Sequence, residues 1–163
     1  MTRFVSALLW VSAVGCGVMA GLYFAFSTFI ITAFDRAGPV PGTVAMNSIN
    51  VTILQSLFMP LFWVTTAVSL VLTVIGLAHW REPGAPMVAV AGLVYFLGMF
   101  GATMFFNVPL NNALAVSDPT TADGIAMWSR FVKEWNLWNH VRTVSSLLAS
   151  ILCIVALRER ILS

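Results

Sequence analysis

The sequence predicts an all-α integral membrane protein: an antiparallel four-helix bundle with an amphipathic extramembrane helical extension before the last span. Three observations predict it. Of the 163 residues 60% are apolar and 9% charged, and mean hydropathy is +0.93. A soluble domain carries roughly 25% charged residues, so a water-soluble globule of this size would have almost nothing to cover its surface. The apolar residues also gather into long runs, matching the ~20 residues that cross a ~30 Å hydrocarbon core. Short connections between such runs favour antiparallel neighbours.

Residues 1–163 read as one transmembrane domain, with spans at about 4–34, 51–79, 86–107 and 141–158 and a non-cytoplasmic segment at 108–140. The first run, Phe4 to Phe34, has features of a signal peptide: Arg3, a cleavage-like Val18-Met19-Ala20, and a degenerate lipobox at Ala13-Val14-Gly15-Cys16. A cleaved signal needs a short apolar region followed by a polar mature start. This run continues past both sites, so a retained span is expected. Its Ala13, Gly17, Gly21 and Ala25 repeat every four residues, which builds a small-residue stripe for close helix approach. The second run, Thr43 to His79, is too long for one straight crossing, and Pro60 is expected to kink it. The third is Pro86 to Asn107; the fourth, Val141 to Leu157, is short and bounded by Arg142 and Arg158. Cys16 and Cys153 lie inside apolar runs and read as buried thiols.

Connectivity puts both termini and the turn His79–Gly84 on one side of the membrane. Arg3, Arg81, Arg158 and Arg160 lie there at span ends and in a short loop, facing Arg36, Arg130, Lys133 and Arg142 on the other side. Weighting short loops and span ends makes both termini cytoplasmic. The net charge of +2, scattered along the chain, argues against a nucleic-acid partner.

No Asp, Glu, Lys or Arg lies in the middle of a span, which argues against ion pumping or a proton relay through the bilayer. Polar groups collect instead at the non-cytoplasmic end. They are Asn47, Asn50 and Gln55, then Asn107, Asn111 and Asn112, then Asn139, His140 and Arg142. Asp118-Pro119 reads as an N-cap and first helical residue, opening a helix that continues into span four. On it Trp128, Trp135 and Arg142 recur every seven residues, so Trp135, Asn139 and Arg142 share one face on successive turns. Arg142 lies about 24 Å along the axis from Arg158, near the edge of the hydrocarbon core. An aromatic belt with a snorkelling arginine accounts for such a pattern, as does polar glue between helices. A shallow pocket with aromatic walls and a few convergent polar groups is the sharper reading. Val108, before Pro109, is expected to leave helical conformation and aim Asn107 and Asn111 off the helix end.

Other constellations fail. His79 and His140 fall on opposite membrane faces and cannot jointly hold a haem iron. No Glu-x-x-His pair for a di-iron site and no phosphate-binding glycine loop occurs. No metal site is assigned.

At this point the chain resembles the anthrone oxygenase-like family of small four-span membrane proteins. The resemblance rests on residues 21–27 (Gly21-Leu22-Tyr23-Phe24-Ala25-Phe26-Ser27), residues 45–50, Asn107-Val108-Pro109-Leu110-Asn111, and Trp128 followed by residues 135–142. It implies a cofactor-independent monooxygenase (an oxidoreductase) that turns an anthrone into an anthraquinone by base-assisted deprotonation and direct reaction with O₂. In that scheme His140 is the base. Arg142 stabilises the oxyanion, with Asn139 and Asn107 as hydrogen-bond donors. Asn50 and Asn111 orient the substrate, and Trp128 and Trp135 offer aromatic faces. The partners are then the lipid bilayer, a small apolar aromatic substrate and O₂; a homo-oligomer is compatible with the sequence. The alternative is a non-enzymatic bundle serving as a partner subunit or a lipid- or quinone-binding module.

Overall fold

The computed structural model describes residues 3–162, with side chains through Glu159. The side chain of Arg160, one of the four arginines used for orientation, lies outside the described residues. Five helices make the fold. They are α1 (Arg3–Ala37), α2 (Pro39–Ile53), α3 (Phe58–Ala78), α4 (Ala85–Ala115) and α5 (Ala122–Leu162). All but α2 are long and apolar enough to cross a membrane. Helices α1 and α4 run away from the termini and α3 and α5 return. Each packs beside two antiparallel neighbours, in the ring α1–α5–α4–α3. The end of the bundle away from the termini is called distal below.

Helix α5, with 41 residues, is about 60 Å long at 1.5 Å per residue. That is twice a hydrocarbon core, so its first half stands outside the membrane as the expected extension. There it packs with α2 and the distal ends of α1 and α4 around Ile31, Met46, Leu114, Trp128, Phe131 and Trp135. A middle layer holds Cys16, Met19, Tyr23, Phe62, Tyr95 and Met99. A third, near the termini, holds Leu9, Leu72, Val88, Cys153 and Ala156. Both cysteines are free and buried.

Three boundaries differ from expectation. The long second run does not kink at Pro60. It breaks into α2 and α3 at residues 54–57, and Pro60 falls in the first turn of α3. A proline there removes only an N–H that has no helical partner. The 21 residues of α3 then match the core thickness without tilt. At Gly38 the chain turns a corner from α1 into α2 with φ 105°, a conformation that L side chains resist, and Pro39 starts the new helix.

Second, Val108 stays helical, at φ −63° and ψ −46°. Helix α4 passes Pro109 because it widens to π-helical turns at Phe96–Gly101 and Thr103–Asn107. The wider turns move preceding carbonyls away from the proline ring. Third, α5 is capped by Thr121, whose Oγ1 accepts the Gly124 N–H, rather than by Asp118. Asp118 closes the preceding turn by accepting from the Thr120 N–H and hydroxyl, bonds that hold its carboxyl below the ordinary carboxylate range.

The small-residue stripe is partly realised. The Ala13 carbonyl accepts Ser150 Oγ from α5 at 2.8 Å, whereas Gly21 is exposed with open space around it. Close approaches between neighbouring helices lie elsewhere. A Cβ on Gly15 would overlap Thr65, one on Gly92 the Ser69 carbonyl and Thr73, and one on Gly76 the backbone of Ala85 and Ala89. The Gly76 and Gly92 contacts press α3 against α4, and Gly15 lets α1 approach α3. Gly76→Val is expected to cost about 2 kcal/mol or more, because backbone cannot move aside, while Gly21→Ala changes stability little. Thermal unfolding of the two variants in detergent checks the contrast.

Candidate functional site

The glycine contacts that close α3 onto α4 stop at Gly92, and toward the distal end the two helices separate. The corner at Gly38 lays α2 across that end. The space enclosed is a cavity of about 300 Å³, at the small end of ligand sites, which span roughly 300–1,000 Å³. Its walls are mostly apolar and aromatic: Phe26 from α1, Met46 from α2, Phe58, Phe62 and Trp63 from α3, Met104 from α4 and Trp135 from α5. The polar exceptions are Tyr23, Asn50, Thr103, Asn111 and Arg142.

Arg142 is 5% exposed. Its guanidinium carbon lies 4.2 Å from the Tyr23 ring centroid and 5.0 Å from that of Trp135. Desolvating a cation is costly, and two aromatic faces recover part of that cost through their quadrupoles. No carboxylate neutralises it. Among the described residues the one ion pair joins Arg130 to Glu134 at 3.0 Å on the surface. Asp35, toward the distal end of α1, accepts the Trp128 indole N–H at 3.0 Å. Arg142 Nη2 donates to Asn139 Oδ1 at 2.6 Å, and its Nε is buried without a partner.

Asn139 fixes that geometry. Helix α1 widens to a π-helical stretch at Phe26–Ile30, and such a turn leaves carbonyls without their usual i→i−4 partners. Asn139 Nδ2 donates to the Tyr23 carbonyl at 2.8 Å and to Ser27 Oγ at 3.0 Å, and Asn136 Nδ2 donates to the Ser27 carbonyl at 3.3 Å. With its amide group engaged on α1, Asn139 has its carbonyl oxygen left for Arg142. One residue therefore ties α5 to α1 and holds the guanidinium against the cavity wall.

The expected one-face stacking on α5 holds: Trp128, Trp135, Asn139 and Arg142 are all buried. Asn50, Asn111, Trp135 and Arg142 line the cavity together. Asn139 stands behind Arg142. Asn107 is buried but spent on packing, its Nδ2 donating to the Trp135 carbonyl at 3.1 Å. Trp128 stacks on Phe131 below the distal cap, away from the cavity.

His140 departs from the expected scheme. It follows Asn139 on the helix, which turns it about 100° away, and it is exposed outside the cavity. The same 3.6-residue period that puts Asn139 and Arg142 inside puts His140 outside. No carboxylate and no histidine lines the cavity. Among the described residues no three His, Cys, Asp or Glu side chains gather as a metal would require.

Tyr23, Thr103 and Trp63 were not singled out from the sequence as site residues. For Tyr23 a signal existed: a phenol in the middle of an apolar span must be paired or face a cavity. Trp63 and Thr103 carried no such mark, because their place depends on where α3 and α4 part. Four atoms around the cavity are buried without partners: Asn50 Nδ2, Asn111 Oδ1, Trp135 Nε1 and Arg142 Nε. Buried polar groups are nearly always paired. Among the described residues seven further buried side-chain atoms without partners lie outside the cavity lining, and these four are the ones a molecule in the cavity could reach.

Comparison with known families places a profile described as anthrone oxygenase on residues 50–152, well over half of the chain. No curated protein and no solved structure matches. The matched stretch includes every cavity residue of α3, α4 and α5, and excludes Tyr23.

Replacing Asn139 with Leu strands the Arg142 Nη2 and removes a donor from the Tyr23 carbonyl and from Ser27 Oγ, which keep their bonds to each other and to Thr143. Each buried group left unsatisfied costs about 1–3 kcal/mol. Asn139→Leu is expected to destabilise more than Asn107→Leu, which removes only a second donor to the Trp135 carbonyl; thermal unfolding of the two variants measures the order.

Proposed function

The chain belongs to the anthrone oxygenase family, and from that premise we propose that it oxygenates a flat, apolar polycyclic ketone in the distal cavity. The observation that carries this reading is the buried Arg142, without a carboxylate, facing an aromatic-walled space. An anthrone carries an acidic CH₂ between two rings, opposite a ketone. Loss of one proton gives an anion whose charge rests largely on the ketone oxygen. A desolvated guanidinium stabilises that oxyanion far more than water does, because the local dielectric is low. Arg142 therefore drives ionisation by binding its product, and the proton leaves to water at the distal rim. This replaces the His140 scheme.

The anion supplies the electrons. It passes one to O₂, and the resulting pair collapses to form a C–O bond and a peroxide. The peroxide takes up a proton; the remaining C–H proton then leaves as the O–O bond breaks, so that one oxygen stays as the new ketone and the other departs as water. The substrate's own electrons make a redox cofactor unnecessary for this sequence. Trp135 and Phe26, edge to face at 5.9 Å between centroids, offer flat surfaces to the rings. Asn50 and Asn111, each with a buried unpaired amide atom, orient the far end. With the termini in the cytoplasm, as the arginine distribution favours, the cavity lies toward the outer face.

Oxygen uptake with an anthrone tests the reading. Arg142→Met is expected to lower turnover at least a hundredfold, since removing a donor to a developing oxyanion costs about 10²–10³ in rate. His140→Ala is expected to keep it within about twofold. Loss of turnover in His140→Ala with retention in Arg142→Met would reverse the assignment.

A further inference from the structure

The exposed lining of the cavity comprises Leu54, between α2 and α3, and, where α3 and α4 part, Trp63 and Met104. The last two are 51% and 42% exposed. Trp63 stands about 22 Å above Ala78 and Met104 about 28 Å above Ala85 along their axes at 1.5 Å per residue. The opening therefore falls within the distal half of a ~30 Å hydrocarbon core, below the aqueous boundary. The surface around it is apolar: Val64 and Leu97 are exposed, and Phe105 is 75% exposed. Below the opening, Trp63 and Phe62 meet Phe100 across the two helices at 6.1 and 5.9 Å between ring centroids. That aromatic bridge forms a sill, and the glycine contacts seal everything beneath it.

We propose that the site is loaded sideways from the membrane, through a mouth framed by Trp63 and Met104 in the distal leaflet. This rests on the polycycle reading above and adds where the substrate resides: it is a molecule dissolved among acyl chains, taken up without crossing water. Trp63 and Met104 then select by thickness and not by polarity. A planar ring system can slide between an indole and an unbranched thioether chain, while a bulky branched lipid cannot.

The test uses the full chain reconstituted in vesicles, with 9,10-anthraquinone predissolved in the lipid of separate vesicles as the probe. The quinone is not turned over. Because Trp10, Trp63 and Trp80 are exposed and quenched without entry, loading is read as the part of the tryptophan quenching that Trp135→Phe removes. It is followed after the protein vesicles are fused with the quinone-loaded ones. Met104→Trp, which narrows the mouth, is expected to slow loading at least tenfold. Should that variant fail to fold, Trp63→Ala widens the mouth and is expected to accelerate loading at least threefold. Loading at the parental rate by the folded variant overturns the lateral entry. Absence of Trp135-dependent quenching in the unaltered chain would sink the polycycle reading and the portal together. Normal quenching with unchanged kinetics in the variants would sink the portal alone.

Discussion

A cation held in an apolar environment without a counter-ion is the constraint on which this structure turns. Arg142 sits where the bundle meets its distal cap, buried among Tyr23, Trp135 and Asn139, with no carboxylate in reach. A stability argument alone would not keep it there: an apolar residue of similar volume would fill the space at less desolvation cost. Two rings and one amide compensate part of that cost. The remainder is an electrostatic demand for negative charge, directed into a cavity that an aromatic molecule can enter.

Much of the local irregularity follows from meeting that demand. The π-helical stretch in α1 opens carbonyls that Asn139 and Asn136 fill, which locks the α5 register against α1. The π-helical turns in α4 let the helix carry Pro109 while α3 and α4 diverge. Irregular helical turns are thus concentrated at the level of the cavity, as is common where function has been built into helices. Nearer the termini, glycines and small hydroxyls pack the same four helices closely.

The bundle, the extension of α5 and the shared face of Trp135, Asn139 and Arg142 were legible in the sequence. Each depends on a period or a composition that neighbours do not override. The division of the second run was not legible, because hydropathy is continuous from Thr43 to His79 and only the core thickness decides where the crossing begins. The fate of Val108 was misread for a related reason: the rule for residues before proline assumes an α-helix, and a π turn escapes it. His140 was drawn into the site by its chemistry when the helical period already excluded it. Trp63 and Thr103 join the site through contacts between distant segments, which no local pattern encodes, whereas the phenol of Tyr23 in mid-span was itself a sign.

The central claim concerns charge, and ionisation of a bound ligand reads it directly. A hydroxylated anthraquinone changes colour when its phenol ionises, so absorbance of the bound dye against pH gives its pKa inside the cavity. The account predicts a pKa at least one unit lower bound than in lipid alone, with the shift lost in Arg142→Met. A dye that binds with an unchanged or raised pKa in the unaltered chain would contradict it.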